Sequence, residues 1–336
     1  MAKTLQYLGM DGVLVIDKPA GLTSHDVVAR VRAILHQRRI GHTGTLDPFA
    51  TGVLVILVNR ATRLAQFLSG AEKEYEAVIR LGYATDTRDI TGKPTSDPGQ
   101  VSLPNWTDDQ IEAALETLRG EIDQVPPMYS AKKRDGQRLY ELARRGEQVD
   151  RVPIRVSVHR LEAVAREGQW LKANADGTVD LEVHVVCSAG TYIRTLAESL
   201  GSQLGVGAHL AELRRTRAGD FRISDAVSLE QLKARVDEEL LATVLTPLAE
   251  ALKNLPYVRL NADDSRRVSN GIDVHVDEHS SGAPTEGQNV RILDPAGSLL
   301  AIGCYYAQSK SLHPKVVISS STEDSLHKNA RTQTSA

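Results

Sequence analysis

The stretch "GHTGTLDPFATG", Gly41 to Gly52, holds one carboxylate, Asp47, among glycines, threonines and a proline. A carboxylate held in one orientation can act as a nucleophile or as a general base. Pro48 favours such use, because the residue before a proline is pushed toward extended backbone and its side chain is aimed accordingly. Asp-Pro is equally a common way to begin a turn. The residue types alone leave Asp47 with both readings.

Other chemistries find less support. "GHTG" (Gly41–Gly44) matches the GxxG of a KH-type RNA clamp, but that clamp lies between two helices, and here Pro48 and an apolar run follow. No GxxxxGK[ST] phosphate loop, HExxH metal motif or GxSxG nucleophile elbow occurs. Cys187 and Cys304 have no CxxC spacing, so they read as structural thiols rather than a disulfide framework or a zinc site.

The elements that must hold the loop can be read from periodicity. "GVLVIDK" (12–18) is a short apolar strand ending in the turn signature "KPAG". Ser24 is the expected cap of a helix whose stripe is Val27, Val28, Val31, Ile34 and Leu35. After the loop, "VLVILV" (53–58) reads as a buried strand, and "ATRLAQFLSG" as a short helix closed by Gly70. "KEYEAVIRLG" (73–82) alternates Tyr75, Ala77, Ile79 and Leu81 against polar neighbours, the pattern of a half-buried strand.

Thr107 with Gln110, and Ser228 with Gln231, are capping boxes; the second helix is expected to run to about residue 244. "LEVHVVCS" (181–188) is a strand that leads through "AGT" into a helix with Ile193, Leu196, Ala197 and Leu200 inward. Strands and helices mix without a regular βαβ repeat, which makes the fold class α+β. From about Leu255 short strands alternate with polar turns, as in a small β-barrel, and the last residues, 320–336, are polar and aperiodic, as in a disordered tail.

At 336 residues, two domains are the better expectation. No apolar run approaches the roughly 18 residues of a membrane span, and the start lacks the apolar core of a signal peptide, so a cytoplasmic protein is expected. The net charge of -3 does not point to nucleic acid, but basic residues cluster at 30–39, 132–138, 144–151 and 213–217. Such patches can make a footprint for a phosphate backbone, or can be ordinary solvated faces.

Five segments, in order, resemble the bacterial TruB-type tRNA pseudouridine synthases. They are "GVLVIDKPAGLTSHDVV", "RRIGHTGTLDPFATGVLVILV", "KEYEAVIRLGYATDTRDITG", "PPMYSAKKRDGQRLYELAR" and "CSAGTYIRTLAESLG". The resemblance covers roughly residues 11–250, which would be the catalytic domain. Residues 255–319 look like the family's PUA-type RNA-binding domain. The family-like segment begins at Asp11, compatible with translation from Met1 or Met10.

The resemblance implies a mixed sheet flanked by helices, and the conversion of uridine 55 in the tRNA T loop to pseudouridine without cofactor or metal. The expected partner is the T-arm stem-loop, engaged by a monomer. Asp47 matches the catalytic aspartate and Arg194 the active-site arginine, which is expected to lower the Asp47 pKa. Tyr75 matches the tyrosine that lies against the target uracil, and His42 a histidine implicated in extracting the nucleotide. Lys18 and Pro19 match a pair read as support for the loop, and Tyr192 and Leu213 match positions lining the uracil pocket. Ala189 stands where many members carry lysine, so one phosphate contact is expected to be missing. Arg134 and Asp135 alter the fourth segment slightly. A tRNA-folding chaperone, or a related synthase acting on another RNA, are the alternative functions.

Overall fold

The computed structural model describes residues 10–95, 103–130, 132–134, 137–147, 149–275 and 284–318. Residues 320–336, read above as a disordered tail, lie outside the described residues, as do Met1 and Asp135.

Mixed α+β architecture is what the chain adopts. Its large sheet follows the order β1 (Gly12–Lys18), β3 (Thr51–Val58), β11 (Gly207–Ala218), β4 (Lys73–Gly82), β10 (Val179–Cys187), β8 (Ile154–Ala163) and β5 (Gly120–Gln124). Three short strands join it: β2 (Ile40–Thr43) on β3, β9 (Leu171–Ala173) on β10, and β12 (Phe221–Arg222) on β11. Strands β6 (Lys133–Arg134) and β7 (Gln137–Arg138) form a separate ladder before α4 (Leu139–Arg144). Most pairings are antiparallel; β3 and β11 run parallel where Thr51 and Gly52 meet Arg214 and Arg215.

Two helix-covered cores lie along this sheet. In one, Tyr75, Ala77, Ile79 and Leu81 of β4 pack with α3 (Asp108–Glu116) and α5 (Ile193–Gln203). In the other, Leu14, Ile16, Leu54 and Ile56 of β1 and β3 pack against α1 (Ser24–Leu35) and α6 (Leu229–Asp237). The α5 stripe Ile193, Leu196, Ala197 and Leu200 is buried as its spacing requires, each large side chain being worth about 1.5–3 kcal/mol. Close approach of α5 to β11 needs Gly201, where a Cβ would lie 2.4 Å from that of Ala208.

Several local expectations shift. Thr23, not Ser24, caps α1, because its hydroxyl accepts from Asp26 N–H in a full capping box. The first residues of the quoted loop form β2, with His42 opposite Ile56. The segment after β3 is a 3-10 turn, Asn59–Leu64, then the single turn α2 (Ala65–Leu68), with Ser69 rather than Gly70 at its C-cap. Helix α6 ends at Asp237, well before residue 244, and only a 3-10 turn at Leu241–Thr243 follows.

The C-terminal part is a five-stranded sheet in the order β13 (Tyr257–Arg259), β15 (Asn289–Leu293), β16 (Leu299–Tyr306), β17 (Ser311–Val317) and β14 (Val274–His275). Among the described residues its ladder does not close on itself, so the expected barrel takes the form of a curled half-barrel. Helix α7 (Ala262–Ser269), capped by Asn261, packs across it through Val268. The sequence reading did not anticipate that helix, whose eight residues carry one buried large apolar group. Leu252, Leu293, Leu299 and Ile302 pack with Leu64, joining this sheet to the large one. Both cysteines are buried free thiols. Among the described residues no helix is long and apolar enough to cross a membrane.

Candidate active site

The Asp47 loop is fixed on both sides of the carboxylate by main-chain bonds. Ser24 Oγ, freed from capping, accepts from Leu46 N–H at 2.9 Å and lies 3.1 Å from Leu46 C=O, to which it donates. Pro48 C=O accepts from Gly21 N–H at 2.8 Å and from Lys18 Nζ at 3.1 Å. Lys18 is fully buried, also donates to Pro19 C=O at 2.8 Å, and is lowered to about 8 by burial, with Asp47 opposing. Gly44 C=O accepts from Arg215 Nη2 at 2.9 Å. The far end of the loop needs Gly52, since a Cβ there would lie 2.2 Å from Arg215 O.

Arg194, at the start of α5, meets Asp47 side-on. Its Nε is 2.9 Å from Oδ2 and its Nη2 3.0 Å from Oδ1. The guanidinium is buried and its other donors are spoken for: Nη1 to Thr87 C=O at 3.1 Å and toward Asp89 at 3.5 Å, Nη2 also to Tyr129 C=O at 2.7 Å. Asp89 is itself held by Thr87 and Thr91. A paired arginine by itself lowers a carboxyl pKa. Here burial outweighs it: the Asp47 carboxyl is raised, with Arg194 and Lys18 opposing and Asp89 adding to the rise. The expected lowering is therefore corrected to a rise.

Around this pair lies a cavity of about 250 Å³, lined by Asp47, Tyr75, Tyr192, Arg194, Leu213 and Arg215 among others. That volume suits one ring system extruded from a stack, not a stretch of duplex. Tyr75 and Leu213 arrive from adjacent strands; Leu213 pairs with Ala77, two residues beyond Tyr75 on β4. Tyr192 is fixed through its main chain, its N–H donating to Gln124 Oε1 at 2.9 Å and its C=O accepting from Gln124 Nε2 at 3.3 Å. Burial raises both phenols, so both stay protonated near neutrality. The loop Ser188–Thr191, including Ala189, closes one wall.

His42, Lys18 and Pro19 are not in that lining. His42 stands on β2, two residues before Gly44, with its ring edge-on to His25 at 5.4 Å. Burial lowers it to about 4, helped by His25 and Arg215, so it is neutral near pH 7.

Sequence reasoning missed Ser24, Lys73, Asp89 and Arg215. Arg215 had been counted in the basic cluster 213–217, yet it is 1% exposed and donates to Val53 C=O and Gly44 C=O. Its neighbours are also engaged: Arg214 with Asp17, and Arg217 with Glu72 and Glu74. That cluster is structural, while Arg30, Arg32, Arg38 and Arg39 remain exposed. The available signal was strand alternation, which puts Arg215 on the same side as inward Leu213. Lys73 is likewise buried, donates to Ser69 C=O and Ala71 C=O, and is lowered to about 8 by burial and Arg215.

Comparison with known proteins identifies the family. Residues 32–193 match the N-terminal domain of TruB family pseudouridylate synthases, and 194–253 the C-terminal domain of tRNA pseudouridylate synthase B. A tRNA pseudouridine synthase B of Solibacter usitatus is 42% identical over 92% of this chain and 100% of its own. One from Stutzerimonas stutzeri is 44% identical over 88% of this chain and 91% of its own. Among solved structures, an H/ACA RNP bound to a substrate RNA containing 2'-deoxyuridine aligns with TM-score 0.68 and 27% identity, over 94% of this chain and 86% of that one. A Cbf5-Nop10-Gar1 complex aligns with TM-score 0.69 and 29% identity, over 92% and 85%. Two adjoining domain matches and full-length relatives above 40% identity lead to one conclusion: the chain belongs to the TruB family of pseudouridylate synthases.

Proposed function

We propose that the protein is a tRNA pseudouridine synthase that converts uridine 55 of the T loop to pseudouridine. The observation that carries this reading is the Asp47–Arg194 pair at the wall of a base-sized cavity faced by Tyr75 and Tyr192. In the reaction the N1–C1′ bond of the uridine breaks, the base turns, a C5–C1′ bond forms, and the C5 proton is lost as N1 gains one. No oxidant, reductant or cofactor enters that balance. Asp47 can take part as a nucleophile on the sugar or the base, or as the base that removes a sugar proton.

Tyr75 stacks on the extruded ring, Tyr192 and Leu213 complete its walls, and His42 helps draw the nucleotide from the loop. Lys18 and Pro19 support the loop that carries Asp47. Residues 11–250 form the catalytic domain, and 255–319 a PUA-type domain that holds the rest of the RNA. The exposed arginines of α1 contact the phosphate backbone of the T arm.

The test uses a tRNA transcript with tritium at uracil C5. The wild-type protein releases tritium stoichiometrically with conversion, and Asp47→Asn releases none. A wild type without release, or a variant that matches it, overturns the reading. The likeness to subunits of H/ACA complexes favours examining a second reading, a synthase acting on another RNA within a larger particle. Turnover of a minimal T-arm hairpin by the purified protein alone decides against it.

A further inference from the structure

Among the described residues, one hydroxyl in the cavity wall makes no hydrogen bond of good geometry. Ser130 is 5% exposed and lines the cavity together with Asp47, Tyr192 and Arg194. Its Oγ is buried and has no hydrogen-bond partner among the described residues. The Tyr192 phenol is close enough for a weak interaction that partly offsets the rise of its own pKa, but the two do not form a hydrogen bond of good geometry. Buried hydroxyls are nearly always hydrogen-bonded, and leaving one unsatisfied costs stability.

The position of this hydroxyl is tied to the reacting carboxylate. Arg194 Nη2 donates both to Asp47 Oδ1 at 3.0 Å and to Tyr129 C=O at 2.7 Å, so one nitrogen holds Asp47 and the peptide that leads into Ser130. Ser130 N–H in turn donates to Met128 C=O at 3.0 Å. The hydroxyl is therefore preorganised at the site and not a passenger on a loose loop.

Most other polar groups of the cavity have protein partners. Arg215 and Lys73 donate to main-chain carbonyls, and Arg194 is shared among Asp47, Thr87 and Tyr129. A uracil ring entering the cavity loses water from two carbonyl oxygens, and each then needs a donor. A serine hydroxyl can rotate to supply one.

We propose that Ser130 is a base-reading residue whose hydroxyl donates to a carbonyl oxygen of the extruded uracil. The assignment rests on the cavity being the base site proposed above. It differs from the roles of Asp47 and Arg194 in concerning recognition of the ring rather than the glycosidic bond.

The experiment combines Ser130→Ala with T-arm hairpins carrying uridine, 2-thiouridine or 4-thiouridine at the target, each read by tritium release from C5. Sulfur accepts hydrogen bonds poorly, and its electronic effect on the ring is common to both proteins, so the wild-type to variant ratio isolates the contact. On uridine the variant loses about three- to tenfold in kcat/KM. On one of the two thio substrates that loss disappears, which also identifies the carbonyl. A variant equal to wild type on uridine, or slowed equally on all three hairpins, overturns the proposal. Thermal melting checks the fold, and Ser130→Cys, close in shape but a weak donor, shows the same pattern should the alanine variant not fold. A wild type silent on uridine overturns the functional reading and this proposal with it, an outcome distinct from a difference between variants.

Discussion

Asp47 and Arg194, 147 residues apart in sequence, meet through two hydrogen bonds of 2.9 and 3.0 Å, yet the carboxyl is raised rather than lowered. Burial disfavours the charged form by more than the arginine favours it, and Asp89 on the other side of the guanidinium adds repulsion. The pair thus combines fixed geometry with a carboxylate held at some cost, which suits a group that must react.

A consequence for stability follows from the sign of that shift. A carboxyl whose folded pKa lies above its unfolded value stabilises the fold below the unfolded pKa and loses that contribution as pH rises through the folded one. At pH 7, well above the unfolded pKa, Asp47 is therefore a net cost. Asp47→Asn is expected to abolish turnover, with at least a thousandfold loss, while its melting temperature at pH 7 is equal to or above that of wild type. A clear fall in melting temperature would mean that the ion pair with Arg194 outweighs the burial.

The second carboxylate on Arg194 has a separate signature. Asp89 raises the Asp47 carboxyl and also steadies the guanidinium through Nη1. Asp89→Asn is expected to move the acid limb of the kcat profile to lower pH and to reduce kcat about tenfold, with little change in KM. A limb that stays in place, measured by single-turnover rates between pH 4 and 7, would show that Asp89 does not act on Asp47.

Loop support is tested at Ser24. Its hydroxyl makes both bonds to Leu46, and Ser24→Ala leaves the buried Leu46 N–H and C=O without this partner. The expected cost is about 1–3 kcal/mol in denaturant unfolding. Because the released residue adjoins Asp47, kcat falls more than KM rises. An equal change in both would place the effect outside the loop.

How much of this was legible in the chain depends on the range of the forces involved. Strands β1 and β4 and the capping boxes of α3 and α6 came out as read, because alternation and capping are local properties. The choice between Thr23 and Ser24 was not local: Ser24 is drawn away by Leu46, 22 residues further on. Arg215 was misread for the same reason, since its partners Val53 and Gly44 lie on another strand and loop. Five residues proposed for the site, Asp47, Tyr75, Tyr192, Arg194 and Leu213, do line one cavity, whereas His42 does not line it and packs its ring on His25. Closure of the C-terminal sheet depends on how its end strands meet, which short apolar runs do not encode.

His42 supplies a pH prediction of opposite sign to Asp47. Lowered to about 4 by burial, it is neutral in the fold while its unfolded counterpart takes up a proton below about 6.5. Its contribution is fully present above the unfolded pKa and is lost as pH falls toward the folded one. Melting temperature is expected to rise between pH 4 and 6.5, and His42→Gln to flatten part of that rise. An NMR titration that finds the His42 ring protonating near 6.5 would remove the basis for it.

The attachment of the C-terminal sheet gives a last prediction. Arg291 on β15 is buried and donates to three carbonyls of the connecting segment: Leu255 at 2.9 Å, Ala249 at 2.8 Å and Lys253 at 3.2 Å. Its guanidinium also stacks over Tyr257 at 5.4 Å. One side chain therefore ties the segment 249–255 to the first strand of the C-terminal sheet. Charged hydrogen bonds of this kind are worth about 1.5–3 kcal/mol each where the partner is left unpaired, though they do not add. Arg291→Ala is expected to speed hydrogen exchange and proteolysis across 249–260 while the Asp47 loop keeps its protection. With a full-length tRNA, KM rises several-fold and kcat holds, because the cavity is untouched. On a minimal T-arm hairpin that does not reach the C-terminal sheet, both constants match wild type. Loss of kcat on the hairpin would instead mean that the linker supports the catalytic region directly, through the packing of Leu252 beside Leu64.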